Sequence, residues 1–128
     1  MDLGEFQLCL KTSDIEKSID FYSRLDFSVI EDSRAEGWAV LKHNNLILAL
    51  YQGHIERNLI NFRGGDIPVI VADAKEAGLS FTADALESPD GSTSAELIDP
   101  DGNRIFFNTF PFERERYLET GSVIDLSE

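Results

Sequence analysis

The feature that most constrains the fold is an order of predicted elements that occurs twice along the chain. Residues 5–52 and residues 58–110 each read as a strand, a helix and three further strands, a βαβββ arrangement. Neither half can bury its own sheet alone, so we expect the two halves to pair. The sequence therefore predicts an α+β fold of two paired βαβββ modules.

The helices have the clearest local signals. Asp14 and Asp66 each stand where an N-cap precedes apolar residues at helical spacing, and Pro68 fits the first turn of the second helix. Gly78 suits a left-handed cap at the end of that second helix. The strands are predicted at 5–11, 27–33, 37–43 and 46–51 in the first module, and at 59–63, 79–84, 93–99 and 103–110 in the second.

The segment between Asp99 and Phe107 predicts a hairpin. Pro100 presets the backbone for a type I turn, and Gly102 accepts the left-handed conformation that closes it. The two strands on either side, at about 92–99 and 103–110, should therefore be neighbours in the sheet.

Everything up to residue 120 is predicted to form a single domain. Beyond Pro111 we expect a short helix over about 112–119, with the charged residues 113–116 on a solvated face. Residues 121–128 are predicted to be a mobile acidic tail.

The charge and composition narrow the function classes. The formal net charge is −13, from 24 acidic and 11 basic residues, and a surface of this sign repels nucleic acid and anionic lipid. No apolar run approaches the roughly 20 residues of a membrane span, and the first residues lack a signal peptide, which predicts a cytoplasmic protein. Cys9 is the only cysteine, so an intrachain disulfide and a cysteine-based zinc site are excluded.

Several motifs in combination resemble the vicinal oxygen chelate superfamily, which includes glyoxalase I, bleomycin-resistance proteins and extradiol dioxygenases. The resemblance covers about residues 5–110, and it implies that the two paired modules form a curved mixed sheet that bears a cleft. One departure is Asp26, because members of the superfamily usually have glycine there. The motifs are Asp14, Phe21-Tyr22, Leu25-Asp26-Phe27, Asn61-Phe62-Arg63, Asp66 and Asp99-Pro100-Asp101-Gly102-Asn103.

The resemblance implies where a metal ion would bind, and this chain lacks the ligands. The metal enzymes of the superfamily place one ligand on the first and last strand of each half, and these positions correspond here to Gln7, Leu48, Leu59 and Phe106. Only the glutamine can bind a metal ion, and one amide is insufficient. His43 and His54 lie in or beside predicted turns and do not replace the missing ligands. We therefore predict no metal and no cofactor.

Strand alternation on the predicted cleft face, together with one aromatic residue, gives a candidate ligand-binding set. Trp38 could stack on a planar or cationic ligand or pack in the core. Glu96, which could share the cleft with Arg63, is a candidate general base, although a structural ion pair is the commoner role of such a residue. The predicted ligand-binding residues are Gln7, Trp38, Leu48, Leu50, Leu59, Asn61, Arg63, Arg104, Phe106 and Asn108.

Three functions agree with these observations. The first is a metal-independent protein that binds a small organic molecule, either amphiphilic or cationic, as in the bleomycin-resistance branch. The second is an enzyme of the superfamily that acts without the usual metal or with a site completed by a partner chain. The third is a non-catalytic structural protein that forms a homodimer, an expectation that comes from the resemblance alone.

Overall fold

The computed structural model describes residues 1–125 and divides the chain into two compact units. One unit is Gln7–Leu59, which we call module one. The other combines Met1–Phe6 with the chain from Ile60 onward, which we call module two. Each unit contains the elements of one βαβββ repeat, so the predicted α+β class and its internal repeat are confirmed. Among the described residues, every helix is too short or too polar to cross a membrane.

The elements of module one are β1 (Gly4–Lys11), α1 (Ile15–Ser23), β2 (Ser28–Ser33), β3 (Trp38–His43) and β4 (Leu46–Tyr51). Its sheet has the strand order β2-β3-β4-β1. Strand β4 runs parallel to β1, whereas β3 is antiparallel to both of its neighbours. A 3-10 turn at Arg34–Glu36 connects β2 to β3.

Helix α1 begins where the sequence predicts. The Asp14 carboxylate accepts a hydrogen bond from the backbone N–H of Lys17 at 3.2 Å, which caps the first turn. Ile15 and Ile19 are buried against the sheet. After the helix, Asp26 adopts a φ of 69°, the left-handed conformation that the superfamily's glycine would supply without a steric cost.

The elements of module two are β5 (Leu59–Gly64), α2 (Ile67–Glu76), β6 (Ala83–Glu87), β7 (Thr93–Ile98), β8 (Arg104–Thr109) and α3 (Pro111–Thr120). Its sheet has the order β5-β8-β7-β6, with β8 parallel to β5 and antiparallel to β7. Helix α2 packs on one face through Ile67, Ile70 and Val71, against Ala95 and Phe107 of the sheet.

Strand β6 begins four residues later than the predicted strand at 79–84. The N–H of Leu79 donates to the Ala74 carbonyl at 3.0 Å, and the N–H of Thr82 donates to the Glu96 carbonyl at 2.9 Å. Residues 79–82 therefore return the chain from α2 to the sheet. The apolar Leu79 and Phe81 suggested a strand where the chain instead forms this connection.

The predicted hairpin is confirmed. The N–H of Gly102 donates to the Asp99 carbonyl at 3.0 Å, and Gly102 has a φ of +89°. The Asp99 carboxylate also accepts from the backbone N–H groups of Asp101 and Asn103 at 2.9 and 2.8 Å. The turn thus aligns β7 and β8, with Ile98 opposite Arg104.

The residues after α3 are packed, contrary to the predicted mobile tail. Val123 and Ile124 are 3% and 6% exposed. The Glu5 carboxylate accepts hydrogen bonds from the Ser122 hydroxyl at 3.0 Å and from the Val123 N–H at 3.2 Å. Apolar burial and these bonds hold the segment on module two, whereas residues 126–128 lie outside the described part of the chain.

Candidate functional site

The sheet of module two has one apolar and one polar face. Side chains alternate along a strand, so the residues of β5, β7 and β8 that do not pack under α2 share the opposite face. We call this the polar face, and it consists of Asn61, Arg63, Ser94, Glu96, Ile98, Arg104, Phe106 and Asn108. Five residues that strand alternation predicts to lie together are on the polar face: Asn61, Arg63, Arg104, Phe106 and Asn108.

Phe106 lies at the centre of the polar face. It is opposite Asn61 on β5 and opposite Glu96 on β7. Two residues further along β8 and on the same face, Asn108 is opposite Arg63 and Ser94. Cross-strand neighbours of this kind are about 5 Å apart, so these side chains are within reach of one small molecule.

The charged groups of the polar face are paired. The Arg104 Nη1 lies 3.2 Å from Glu96 Oε2, and the Thr82 hydroxyl donates to Glu96 Oε1 at 3.0 Å. Arg63 Nε donates to Glu113 Oε2 at 2.7 Å. Glu96 and Arg63 therefore share a face as proposed from the sequence, but each is ion-paired with a different residue.

Sequence reasoning missed Glu113 as a residue of this region. It was expected on a solvated helix face, yet it is only 6% exposed. Besides the arginine, its carboxylate accepts the backbone N–H of Phe110 at 2.9 Å and so caps the start of α3. Proline at the first helical position followed by glutamate two residues later is a helix-start signal, and it could have predicted this role.

Three buried polar atoms of the polar face have no hydrogen-bond partner within residues 1–125. They are Asn61 Oδ1, Arg104 Nε and Asn108 Oδ1. The Asn61 residue is 4% exposed. A buried polar atom without a partner costs about 1–3 kcal/mol, and most such atoms in native proteins are paired. The grouping of all three on one face marks it as the candidate site.

In module one, the predicted placement of Leu48 and Leu50 on the cleft face is wrong. They are opposite Leu8 and Leu10 of β1 and pack with Ile15 and other buried residues in the core beneath α1. Both are 1% exposed. The segment 46–51 is apolar on both faces, so its sequence does not indicate which residues point toward which face. The predicted assignment of faces is therefore shifted by one residue. The face that contains Gln7 and Cys9 is lined instead by Ile47, Ala49 and Tyr51 of β4.

The remaining predicted residues of module one differ in how deeply they are buried. Gln7 is buried, at 2% exposure. Trp38 is half-buried at the start of β3, opposite Tyr51, and so lies on the same face as Gln7. Leu59 is half-buried at the start of β5. Contact of these three with a ligand stays a prediction.

The residues at the implied metal positions do not fit a metal ion. Correcting the register of β4 replaces Leu48 with Ile47 or Ala49, neither of which has a ligating atom. Leu59 and Phe106 likewise lack one, which leaves the amide of Gln7. Among residues 1–125, no three His, Cys, Asp or Glu side chains are grouped closely enough to bind a metal ion.

A separate cavity of about 180 Å³ lies at the start of α2 and α3. Three of the polar side chains that line it already have partners. Asp66 caps α2 through the Val69 N–H, Thr109 bonds both Gly64 and Gly65, and Arg114 donates to the Gly64 carbonyl. This cavity is lined by residues other than those of the polar face, and these three polar side chains are used by the fold itself.

Comparison with solved structures finds several proteins of similar architecture. A structure titled NAD-dependent benzaldehyde dehydrogenase, from Legionella pneumophila, aligns with a TM-score of 0.68 at 20% identity, over 82% of this chain and 98% of that one. A glyoxalase/bleomycin resistance protein/dioxygenase superfamily member from Vibrio splendidus aligns with a TM-score of 0.65 at 18% identity, over 82% and 97%.

A hypothetical protein from Bacillus halodurans aligns with a TM-score of 0.60 at 18% identity, over 84% of this chain and 93% of that one. No family profile and no curated protein sequence matches the chain. At these identities the likeness shows the fold alone.

Proposed function

Since the chain has the fold of the glyoxalase/bleomycin resistance/dioxygenase superfamily, we propose that it binds a small organic molecule without a metal ion. The observation that carries the proposal is the set of unpartnered buried atoms on the polar face. At about 1–3 kcal/mol each, three such atoms use a considerable part of the 5–15 kcal/mol by which proteins of this size are stable. A ligand that bonds to Asn61, Arg104 and Asn108 would account for their retention.

Metal independence is supported by residue chemistry. The implied ligand positions provide one amide, and divalent ions require several nitrogen, oxygen or sulfur atoms converging on one point. The polar groups of the proposed site are instead two amides, two guanidinium groups, a carboxylate and a hydroxyl, which are suited to hydrogen bonding.

Of the two ligand types that the sequence suggests, the polar face favours an amphiphilic one. Phe106 and Ile98 supply apolar surface beside the polar atoms, a mixture typical of small-molecule sites. Attraction of a cation receives no local support, because Glu96 and Glu113 are each already paired with an arginine.

A thermal-shift screen of a broad set of small molecules tests the proposal. We expect at least one compound to raise the melting temperature of the wild-type protein by several degrees at saturation. The double variant Asn61→Leu/Asn108→Leu keeps side-chain size but removes both amide oxygens, so the same compound should not stabilise it.

The matched control is Asn45→Leu, which changes an exposed asparagine in the turn before β4. This variant should respond to the compound like the wild type. A screen without any stabilising compound, or a compound that stabilises the double variant equally, would refute binding at the polar face.

A further inference from the structure

The formal charges of the polar face and its paired residues cancel. Arg63 is paired with Glu113 at 2.7 Å and Arg104 with Glu96 at 3.2 Å. The two carboxylates are buried more deeply than their partners, with side-chain exposures of 8% for Glu113 and 18% for Glu96. An ion of either sign would therefore lose hydration on this face and gain no uncompensated countercharge. The electrostatics select an uncharged ligand.

The unpartnered atoms specify how many hydrogen bonds the ligand must make. Asn61 Oδ1 and Asn108 Oδ1 are acceptors and each needs a donor, whereas Arg104 Nε is a donor and needs an acceptor. A complementary ligand thus supplies two N–H or O–H donors and one acceptor. A primary carboxamide carries this combination in one planar group, and a ureide carries it as well.

A hydroxyl group, the other neutral group considered, fits less well than an amide. A single hydroxyl supplies one donor, so it would leave an asparagine oxygen unpaired, at the cost that such atoms have in a buried site. An amide ligand also complements an asparagine amide in either orientation, because both groups carry a donor beside an acceptor.

Phe106 lies on β8 between Arg104 and Asn108 and opposite Asn61. The three unpartnered side chains therefore surround an aromatic ring. A ring of this kind favours contact with a flat group, either stacked or edge-on. The aromatic ring beside the three side chains agrees with a planar ligand head.

We infer that the ligand of the polar face is an uncharged molecule with a primary carboxamide or ureide group attached to an apolar body. This inference rests on the proposed function and specifies its ligand class. The amide N–H groups donate to the oxygens of Asn61 and Asn108, its carbonyl accepts from Arg104 Nε, and its plane lies against Phe106.

Three compounds of nearly identical shape separate charge from hydrogen bonding. Benzamide is neutral with two donors and an acceptor, benzamidine is a cation with donors only, and benzoate is an anion with acceptors only. Each is titrated at millimolar concentration into uniformly ¹⁵N-labelled full-length protein, since so small a fragment binds with a millimolar Kd at best. The signals followed are the side-chain amides of Asn61 and Asn108 and the backbone amide of Phe106.

We expect benzamide to shift all three signals in a saturable manner, and to bind at least tenfold more tightly than benzamidine or benzoate. In Asn61→Leu/Asn108→Leu the benzamide-induced shift at Phe106 should be lost, whereas Asn45→Leu should retain it. The unchanged remainder of the spectrum confirms that each variant is folded.

Tighter binding of benzamidine or benzoate at the same signals would overturn the ligand class and leave the proposed function standing. Failure of all three compounds, while the thermal-shift screen finds another ligand of the polar face, would overturn the inference alone. Failure of both experiments would overturn the proposed function too.

Discussion

At the scale of single residues, Asp99 shows how one side chain can organise a turn. Its carboxylate accepts hydrogen bonds from the Asn103 side chain at 2.8 Å and from the backbone N–H groups of Asn103 and Asp101. The Asn103 side chain, followed by these backbone groups, lowers the pKa of Asp99 below its ordinary value. The ionised carboxylate is therefore the form that the hairpin requires.

The sign of the pH dependence follows from this lowered pKa. The stabilisation by Asp99 is fully present above its unfolded pKa of about 3.9 and is lost as the pH falls through the lower folded pKa. In Asn103→Ala we expect the pKa of Asp99 to rise toward the unfolded value, because the strongest donor is removed. An NMR titration that follows the carboxyl ¹³C signal of Asp99 measures this pKa in the wild type and in the variant.

The control for this titration is Asn45→Ala, which should leave the pKa of Asp99 unchanged. An Asp99 pKa that is the same in Asn103→Ala as in the wild type would show that the side-chain bond does not hold the turn.

Local backbone structure could be predicted from single residues, whereas tertiary contacts could not. The turn residues Pro100 and Gly102 were sufficient to predict the hairpin, since their backbone preferences act locally. The partners of Arg63 and Arg104 were not predictable, because an ion pair across strands or to a helix 50 residues away depends on the tertiary fold. The unpartnered atoms of Asn61 and Asn108 likewise become visible only once burial is known.

At the scale of elements, the first turn of α3 joins the polar face through one buried ion pair. Glu113 is bonded to Arg63 by two hydrogen bonds, of 2.7 and 3.1 Å, and also caps its own helix. Removing one member of a buried pair leaves the other charge without compensation.

We expect Glu113→Gln to lower the free energy of unfolding by about 2–3 kcal/mol, since the pair is largely but not completely buried. The matched control is Glu115→Gln, an exposed glutamate of the same helix, which should change it by less than about 0.5 kcal/mol. Urea denaturation followed by circular dichroism measures both. Equal effects of the two substitutions would contradict a buried role for Glu113.

Elements with strong periodicity or distinct ends were predicted within a residue or two, as with α2 and its cap at Asp66. Strand β4 was located correctly, but its inward and outward faces were exchanged. A continuous apolar strand contains no alternation from which its phase could be read. Strand β6 begins later than predicted because the apolar Leu79 and Phe81, which suggested a strand, belong to the connection from α2. The strand itself is at the edge of the sheet and has a register shift between Ala83 and Leu86.

At the scale of the whole molecule, the repeated order of elements was sufficient to predict the fold class. The order of elements in the two βαβββ units does not depend on the exact register of any one strand, so local errors left it unchanged. The solved structures of similar architecture agree with this order. The homodimer and the cytoplasmic location stay predictions.

The candidate site could be predicted only in part. The shared face of the candidate residues on β5 and β8 could be predicted, because side chains alternate along a strand and Asn61-Phe62-Arg63 gives the phase of β5, while Arg104 and Asn108, four residues apart, fall on one face of β8 with Phe106 between them. In module one, burial of Leu48 and Leu50 removes two of the predicted ligand contacts. The proposed site therefore rests on module two.

A crystal structure of the protein grown with a stabilising compound tests the central claim most directly. We predict a bound molecule against Phe106, with donor atoms within about 3.2 Å of Asn61 Oδ1 and Asn108 Oδ1 and an acceptor equally near Arg104 Nε. Ordered water alone at these three atoms, with the compound bound elsewhere, would contradict the account.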